Sequence, residues 1–453
     1  MSISTIIAEF TAEPAEFTGE AMYLAKRSIL DTFGAMITGV DTSAVKMALV
    51  SSAEGNCTLI GGAGEKLTPR DAAFVNGISG HELELDDTSS SNLGHPTAAV
   101  LPTVLAVAET EGIPGRRMTE AFLIATEVEC KIGRIIAKRL HERGWHCSSI
   151  TGVLGAAAGA AYLLGLSKEQ TVNAIGIAAS MASGVRENFG TLTMSVHIGK
   201  TAEDGLRAAI LAKDGFTSSE IALEGKEGYI FEYSGLRDDS GSFEKIMRTM
   251  GHDWDICAPG FTIKRWPSCS SCHRPYDAFL DIASENEFTL SDVEKIEMGL
   301  SAASLRELIT PDPKDGEEAK FSVGFQIGLY MAGIPNVPSN YTKEVIFRSE
   351  IQEAIKKSSM YEIDEYNHLP SEAGNGPARV TVTLKDGRVF EMIRNFPVGH
   401  LTDPISDDDL KKKFMNCTVP SLGEEKAGRL YEIIMDLENV PDVRMLTALS
   451  VKN

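Results

Sequence analysis

The sequence TGVLGAAAGAAYLLGL, residues 151–166, is the most apolar stretch of the chain and the one that decides its fold. It is shorter than the ~20 apolar residues that a helix needs to cross a membrane. It is also rich in Ala and Gly, whose small size lets neighbouring backbones approach closely. We therefore predict a buried helix at these residues and no association with a membrane.

Helical patterns continue on both sides of this stretch. Apolar residues recur at helical spacing in residues 22–37 and again in residues 121–140. Thr68-Pro69 has the pattern of an N-cap followed by proline in the first turn, and Ser167 with Gln170 has that of a capping box. The first half of the chain is therefore predicted to be helical.

The second half of the chain first shows the patterns of a sheet and then returns to helices. Ile296, Met298 and Leu300 alternate with polar residues, as in a half-buried strand. Residues 380–392 have the pattern of a β-hairpin around an Asp-Gly turn. Ser406 precedes three Asp residues in the pattern of a helix N-cap.

Together these patterns predict a mainly α fold with two domains. A large all-helical domain is built from both chain ends, residues 1–265 and 400–453, and a smaller α+β domain, residues 266–399, is inserted between them. With 453 residues, of which 43% are hydrophobic, the chain has ample material for a core, so a disordered protein and a small disulfide scaffold are excluded.

The charge and cysteine content narrow the class of protein. The chain has 43 Lys and Arg against 64 Asp and Glu, a net charge of −21, and this acidity argues against a nucleic-acid partner. An anionic small substrate is compatible with it, because a local group of cations sets the sign of a pocket. Seven scattered cysteines and an N-terminus without a signal-peptide pattern predict a cytoplasmic protein.

Two motifs that look like cofactor or metal sites are incomplete. Gly199-Lys200-Thr201 lacks the earlier glycine of a phosphate-binding loop, because Met194 holds that position. Cys269, Cys272 and His273 look like half of a zinc site or a haem-attachment pattern, but no second ligand pair stands at suitable spacing. We therefore expect neither a cofactor nor a metal.

The segment GHELELDDTSSSNLGHPTAAVLP, residues 80–102, has the densest set of candidate catalytic groups. Its acidic residues, from Glu82 to Asp87, are predicted at the end of a helix, where they oppose the helix dipole. This unfavourable placement hints at function, because carboxylates beside an imidazole orient it for proton transfer. The alternative is an acidic surface run with His95 as a helix cap.

Two further segments combine histidine with cysteine or with cations. His146 lies between Trp145 and Cys147 at a helix entrance, where it is either a site residue or a buried core histidine. The segment FTIKRWPSCSSCHRPY, residues 261–276, is predicted as a loop from its Pro and Ser residues. It brings together the cationic residues Lys264, Arg265, His273 and Arg274. The alternatives are an anion-binding site and an exposed basic loop.

Taken in order, these segments resemble the MmgE/PrpD family, which contains 2-methylcitrate dehydratase, cis-aconitate decarboxylase and iminodisuccinate epimerase. The resemblance covers nearly the whole chain, with blocks that include KRSILDTFGAMITG (residues 26–39), ELDDT (84–88), RENFGTLTMSVHIGKTAEDGLRAA (186–209), IKRWPSCSSCH (263–273) and EAKFSVGF (318–325). It implies a helical domain, a smaller lid domain, a site between them, a homodimer, and neither an organic cofactor nor an obligatory metal.

The resemblance also implies roles for individual residues. It assigns catalysis to Glu84, Asp87, His95 and His146, and substrate binding to Asp86, Thr88, Lys264 and His273. Three positions depart from the family's pattern: Met194 replaces a Lys, Cys269 falls near a site His of the decarboxylases, and Phe325 replaces their site Tyr. These departures favour a family member other than a plain cis-aconitate decarboxylase.

The reactions of the family share the removal or delivery of a proton next to a carboxylate, with stabilisation of enolate-like charge. Our first hypothesis is therefore a lyase that acts on a small di- or tricarboxylate, with dehydration of a 2-methylcitrate-like acid preferred over decarboxylation. The second is an isomerase of the iminodisuccinate epimerase type, and the third is a non-catalytic carboxylate-binding protein.

Overall fold

The computed structural model describes residues 1–238, 240–369 and 376–452. Most of the described residues are helical and the sheets are small, so the predicted mainly α fold with two domains is confirmed. The backbone divides into two compact units. The first unit comprises Met1–Glu82, Asp86–Phe261 and Ser406–Asn453, and the second comprises Leu83–Leu85 and Thr262–Ile405.

The elements are numbered in chain order. The helices are Ile3–Ala12 (α1), Gly19–Gly39 (α2), Ser43–Leu49 (α3), Pro69–His81 (α4), Pro96–Glu111 (α5), Gly115–Glu142 (α6), Cys147–Leu164 (α7), Lys168–Met181 (α8), Thr193–Lys213 (α9), Tyr229–Ser234 (α10), Ser242–Met247 (α11), Ser270–Glu285 (α12), Ala302–Glu307 (α13), Gly316–Ala319 (α14), Val323–Met331 (α15), Lys343–Ile346 (α16), Ser349–Lys357 (α17), Asp407–Leu422 (α18), Glu424–Met435 (α19) and Arg444–Leu449 (α20). The strands are Glu54–Thr58 (β1), Lys66–Leu67 (β2), Thr88–Ser89 (β3), Phe261–Thr262 (β4), Val293–Leu300 (β5), Ser358–Glu362 (β6), Ala378–Leu384 (β7) and Val389–Arg394 (β8).

Helix α7 is the buried helix around which the first unit is packed. It contacts α5, α6, α8 and α9. Its length and mean hydropathy of 1.5 would suffice to cross a membrane, but 89% of its residues are buried inside the fold. Its glycines permit this packing, because a Cβ on Gly155 would collide with the carbonyl oxygen of Ala125, and one on Gly152 would lie 2.7 Å from the Cβ of Ala99. The predicted buried helix is thus confirmed.

Capping signals that were read from the sequence are confirmed at three helix starts. The side chain of Thr68 accepts a hydrogen bond from the backbone N–H of Asp71 at the start of α4. Ser167 and Gln170 form a capping box at the start of α8, and Ser406 caps α18. Helices α18 and α19 pack against α2, so the two ends of the chain share the first unit.

Two details of the first unit differ from the sequence prediction. Strands β1 and β2 form a short antiparallel pair, so the unit is not entirely helical. Helix α4 ends at His81 with Glu82 as its C-cap, six residues before Asp87, the last acid of the predicted helix end. The conflict between acidic residues and the helix dipole is therefore confined to Glu82, because the later carboxylates follow the helix.

The second unit is built on a four-stranded sheet in the order β6-β5-β7-β8. Strand β5 pairs in parallel with β6 and antiparallel with β7, and β7 and β8 form the predicted hairpin. Its turn uses the freedom of Gly387, which has a φ of 91°. Alternate residues of β7, from Ala378 to Leu384, are buried, and α12 packs against β7 and β8. The predicted strand and hairpin are confirmed.

The predicted loop at residues 261–276 is helical over part of its length. Helix α12 begins at Ser270, directly after its N-cap Cys269, and places His273 and Arg274 on a buried helical segment. The serines occupy the first turn, where backbone N–H groups have no partner within the helix. A composition that indicated a loop is therefore compatible with a helix start, and the loop prediction was wrong for this part.

Candidate active site

Four histidines lie close together in the first unit. His81 is the last residue of α4, His95 and His146 are the residues just before α5 and α7, and His197 lies near the start of α9. The ring centroids of His81 and His95 are 4.6 Å apart, those of His81 and His146 5.9 Å, and those of His146 and His197 5.4 Å. The fold therefore gathers the two predicted histidines, His95 and His146, in one cluster.

Asp86 joins two members of this histidine cluster. Its Oδ2 lies 2.9 Å from Nδ1 of His81 and 3.1 Å from Nδ1 of His95, and its side chain is fully buried. Burial alone would raise the pKa of Asp86, but the charges and ring N–H groups of His95 and His81 hold that pKa well below its usual range. The carboxylate is therefore ionised at neutral pH. The Asp86 carboxylate lies against Nδ1 of His95, so Nε2 is the ring nitrogen that remains for proton transfer.

Asp87 faces a different environment from its neighbour Asp86. It accepts hydrogen bonds from the backbone N–H of Thr97 at 3.2 Å and from the Thr97 hydroxyl at 2.6 Å. Burial, together with the charges of Asp31 and Asp86, raises the pKa of Asp87 to about 7. These contacts hold the first turn of α5 and with it the position of His95, while the catalytic role that the resemblance implies for Asp87 stays a prediction.

The loop between β3 and α5 forms buried polar contacts with helix α6 and with Asp255. The Ser91 hydroxyl donates a hydrogen bond to Asp255, and the Asn92 amide donates one of 2.5 Å to Glu129 of α6. Ser89 and Gly94 pair through their backbones, and Thr88, the predicted binding residue, is buried at the start of this loop. His95 therefore stands at the end of a rigidly anchored loop.

His146 is held by both its backbone and its ring. Its backbone N–H donates a 3.0 Å hydrogen bond to Gly184, and its Nδ1 lies 3.2 Å from Nδ1 of His197. Burial lowers the pKa of His146 well below its usual range, and the charges of His81, His197, His95 and Arg186 act in the same direction. Burial also lowers the pKa of His197 to about 4. Both rings are therefore neutral at pH 7, and one of them donates its Nδ1 proton to the other.

The remaining predicted residues belong to the second unit. Lys264 forms an ion pair with Glu84, and both side chains are buried. Glu84 has a left-handed backbone with a φ of 52°, which is rare for a residue with a side chain. His273 is buried in α12, where its Nε2 lies 3.3 Å from the carbonyl oxygen of Ser268. The predicted cation Lys264 therefore has a carboxylate partner within its own unit.

The three positions that depart from the family's pattern are all buried. Met194 lies in the first turn of α9, Cys269 is the N-cap of α12, and Phe325 packs edge-on against Tyr341 in the core of the second unit. Burial raises the pKa of the Cys269 thiol well above its usual value, and the charge of Glu307 adds to this effect. The thiol is therefore not a nucleophile at neutral pH.

One cluster has the residue types of a metal site. His81, Asp86 and His95 each offer a ligand atom, and these atoms lie within 4.8 Å of one another. Oδ2 of Asp86 forms a hydrogen bond of 2.9 Å with Nδ1 of His81 and lies 3.1 Å from Nδ1 of His95 as an ion-pair contact, and these two contacts account for the arrangement. Cys269, Cys272 and His273 do not form such a cluster in the part of the chain that the structure describes. The expectation of no bound metal stays a prediction.

Two members of the site, His81 and His197, were not among the residues predicted from the sequence. His81 stands five residues before Asp86, and His197 lies within the block of residues 186–209, so both belong to segments that carry the resemblance or the acidic run. For His81, the sequence pattern that could have indicated a site residue is a histidine followed by several acidic residues within two helical turns. No local pattern indicated that His197 meets His146, because α7 and α9 are brought together only by packing.

Comparison with known proteins identifies the family. The profile of the MmgE/PrpD N-terminal domain matches residues 2–240, and that of the MmgE/PrpD C-terminal domain matches residues 266–439. The chain belongs to the MmgE/PrpD family.

Three relatives share the name cis-aconitate decarboxylase. The chain is 30% identical to cis-aconitate decarboxylase of Homo sapiens over 95% of its own length and 90% of the relative's. It is 29% identical to the cis-aconitate decarboxylase of Mus musculus, over 94% and 88%. Against the cis-aconitate decarboxylase of Aspergillus terreus the identity is 24%, over 87% and 84%.

Proposed function

We propose that the protein is a lyase that acts on a small di- or tricarboxylate through proton transfer next to a carboxylate. The observation that carries this proposal is the pair of unlike histidines in one cluster: His95 beside the ionised Asp86, and His146 held neutral by burial. Two titratable groups in opposite electrostatic environments are typical of an acid and a base that act in turn. The relatives' shared name supports an enzyme.

His95 is the proposed proton-transfer residue. Its Nε2 takes the proton or delivers it, and the imidazolium that forms on uptake is stabilised by Asp86, 3.1 Å from Nδ1. A positioned histidine of this kind contributes typically ~10²–10⁴-fold to the rate. His146 carries no charge, so its Nε2 acts as hydrogen-bond donor or acceptor to the developing enolate or leaving group without repelling the proton on His95.

The same proton chemistry has three outcomes, and the relatives favour one of them. Loss of carbon dioxide gives decarboxylation, loss of hydroxide from the neighbouring carbon gives dehydration, and return of the proton to the opposite face gives epimerisation. The human, mouse and Aspergillus terreus relatives are all named cis-aconitate decarboxylases, which supports decarboxylation of an unsaturated tricarboxylate as the first reaction to test. Dehydration of a 2-methylcitrate-like acid is the second, since Met194 and Phe325 depart from the decarboxylase pattern.

Substrate binding by the second unit is part of the proposal. Lys264 and His273 are proposed to bind a substrate carboxylate, and Glu84 to hold the Lys264 ammonium in place through their ion pair. An ammonium has three donors, so the bond to Glu84 does not use its full capacity. Independence of cofactor and metal, a homodimeric assembly and a cytoplasmic location are proposed as well. All seven cysteines are free thiols, which supports a reducing compartment.

Proton NMR in deuterated water tests the proposed function. The protein is incubated with cis-aconitate, 2-methylcitrate and iminodisuccinate in turn, and His95→Ala is the inactive control. Loss of carbon dioxide or water from one of the first two acids supports the lyase. Deuterium incorporation into iminodisuccinate without a new carbon skeleton identifies the epimerase instead. Turnover by folded His95→Ala at the parent rate would reject the role of His95.

A further inference from the structure

Arg186 is bound to the backbone segment that positions His146. The backbone N–H of Arg186 donates a 2.9 Å hydrogen bond to the carbonyl of Gly144, and that of His146 donates a 3.0 Å bond to the carbonyl of Gly184. Between them, Trp145 and Val185 pair as an antiparallel bridge. The guanidinium is therefore attached to the same short two-stranded segment as the His146 ring.

An aromatic ring lies between the two side chains. The Cζ of Arg186 lies 5.4 Å from the centre of the Phe189 ring, and that ring meets His146 edge-on with centroids 5.0 Å apart. The positive charge of Arg186 is one of the causes that lower the pKa of His146. A ligand that contacts His146 is thus within the electrostatic reach of this guanidinium.

Among the described residues, the side-chain hydrogen bonds of Arg186 all come from one nitrogen of its guanidinium. Its Nη1 donates hydrogen bonds to Nε2 and to the carbonyl oxygen of His141, at 3.1 and 3.3 Å. Its Nε is buried and has no acceptor among the residues that the structure describes. The Nε–Nη2 edge is one of the faces through which arginine binds a carboxylate with two parallel hydrogen bonds.

The chain's own composition makes an arginine without a carboxylate partner unusual. Asp and Glu exceed Lys and Arg by 64 to 43, yet within the described ranges no carboxylate forms an ion pair with Arg186. A buried donor without an acceptor destabilises a fold unless water or a ligand supplies the acceptor, and a carboxylate is the acceptor that binds a guanidinium most strongly. No other Lys or Arg stands between Arg186 and His197, so this segment offers a single cation to an anionic ligand.

We infer that Arg186 binds one carboxylate of the substrate through its Nε–Nη2 edge, beside His146. This inference rests on the proposed function for the identity of the ligand, a small polycarboxylate. Arg186 anchors that carboxylate and does not take part in proton transfer. Its contact is the same in the ground state and in the transition state, and its removal therefore raises KM more than it lowers kcat.

Arg186→Gln and Arg186→Lys test the inference, with Arg139→Gln as a matched control. Arg139 lies on α6 with a side chain that is 48% exposed and paired with Glu142, so its replacement removes the same charge outside the site. The dissociation constant of tricarballylate, a saturated tricarboxylate, is measured by calorimetry, and KM and kcat are measured with the acid that the parent converts.

We expect Arg186→Gln to raise the dissociation constant and KM roughly 10- to 100-fold, the effect of losing hydrogen bonds to a charged group. Its kcat should stay within about threefold of the parent. Arg186→Lys should recover only part of the affinity, because an ammonium does not form the two parallel bonds. Arg139→Gln should match the parent.

Unchanged affinity in folded Arg186→Gln would overturn the inference. If Arg186→Gln does not fold, the KM of Arg186→Lys is the test. A KM of Arg186→Lys equal to that of the parent would exclude a contact through two parallel hydrogen bonds. If the parent converts a polycarboxylate and the Arg186 variants do so with the same KM, the proposed function stands and only the role of Arg186 is rejected. A parent that neither converts any of the acids nor binds tricarballylate overturns both.

Discussion

Replacing Asp86 with Asn is expected to slow turnover while leaving substrate binding largely intact. The two side chains have the same shape, so the change removes the charge of Asp86 and keeps a group at hydrogen-bond distance from His95 and His81. In the parent, Asp86 lies 3.1 Å from Nδ1 of His95 and is fully buried, so solvent does not screen its charge. The carboxylate stabilises the imidazolium that His95 becomes during proton transfer.

The size of the effect follows from this contact. A hydrogen bond to a charged group is worth about 1.5–3 kcal/mol. If the contact with the imidazolium is lost in the transition state alone, kcat falls roughly 10- to 100-fold, since each 1.36 kcal/mol corresponds to a factor of ten. KM should stay within about threefold if Asp86 acts through His95, whereas a larger rise in KM would support the substrate-binding role that the resemblance implies for Asp86.

Steady-state kinetics of Asp86→Asn and Glu109→Gln provide the assay. Glu109 is a buried acid at the other end of α5, where it accepts hydrogen bonds from Thr58 and Thr447, so its replacement controls for the loss of a buried charge. Circular dichroism establishes that both variants are folded. A folded Asp86→Asn enzyme with the parent's kcat would show that His95 does not depend on Asp86, and the proposed mechanism would then be wrong.

Three further predictions follow from the same structure. Lys264→Met should lower the free energy of unfolding, measured in urea, by about 3–5 kcal/mol, because Glu84 loses the ammonium of a buried ion pair. The double variant Lys264→Met with Glu84→Gln should recover part of this loss. If it recovers none, the ion pair is not the cause of the loss. His197→Gln should flatten the acid side of the stability profile: burial lowers the pKa of His197 from 6.5 to about 4. Between those values the unfolded chain binds a proton that the folded chain does not, and the parent loses stability as the pH falls. As the pH falls, the free energy of unfolding of the variant should therefore decrease by up to ~1.4 kcal/mol less per pH unit than that of the parent. If the free energies of unfolding of parent and variant change in parallel from pH 7 to 4.5, the lowered pKa of His197 is contradicted. Chelation with EDTA should leave turnover unchanged; a loss that zinc restores would place a metal at His81, Asp86 and His95.

Short-range features of this fold were readable from the sequence. The caps at Thr68, Ser167 and Ser406 depend on residues three positions away, so a short stretch of sequence is enough to predict each helix start. The hairpin of β7 and β8 depends on alternation and on an Asp-Gly turn, which are equally local. The exception was α12, whose opening serines indicate a loop as readily as a helix start.

The candidate site was readable only in part. His95 and His146 were chosen because the segments around them resemble a known family, while the contacts that set their chemistry were not visible. The ionised Asp86 is a consequence of two ring nitrogens at 2.9 and 3.1 Å. The pKa of its neighbour Asp87 is raised instead, because burial and the charges of Asp31 and Asp86 outweigh its hydrogen bonds from Thr97. Two adjacent aspartates of the same sequence run therefore acquire different roles from their surroundings.

By itself, the amino-acid sequence predicted the family and part of the secondary structure, namely several helices, strand β5 and the hairpin of β7 and β8, because periodicity, caps and ordered blocks are properties of the chain. Only the tertiary structure decided which residues meet. His146 reaches His197, and Arg186 pairs with the backbone before His146, through the packing of α7 and α9 and one antiparallel bridge. The charge state of each group follows from burial and from partners distant in the sequence, and a linear pattern does not contain either.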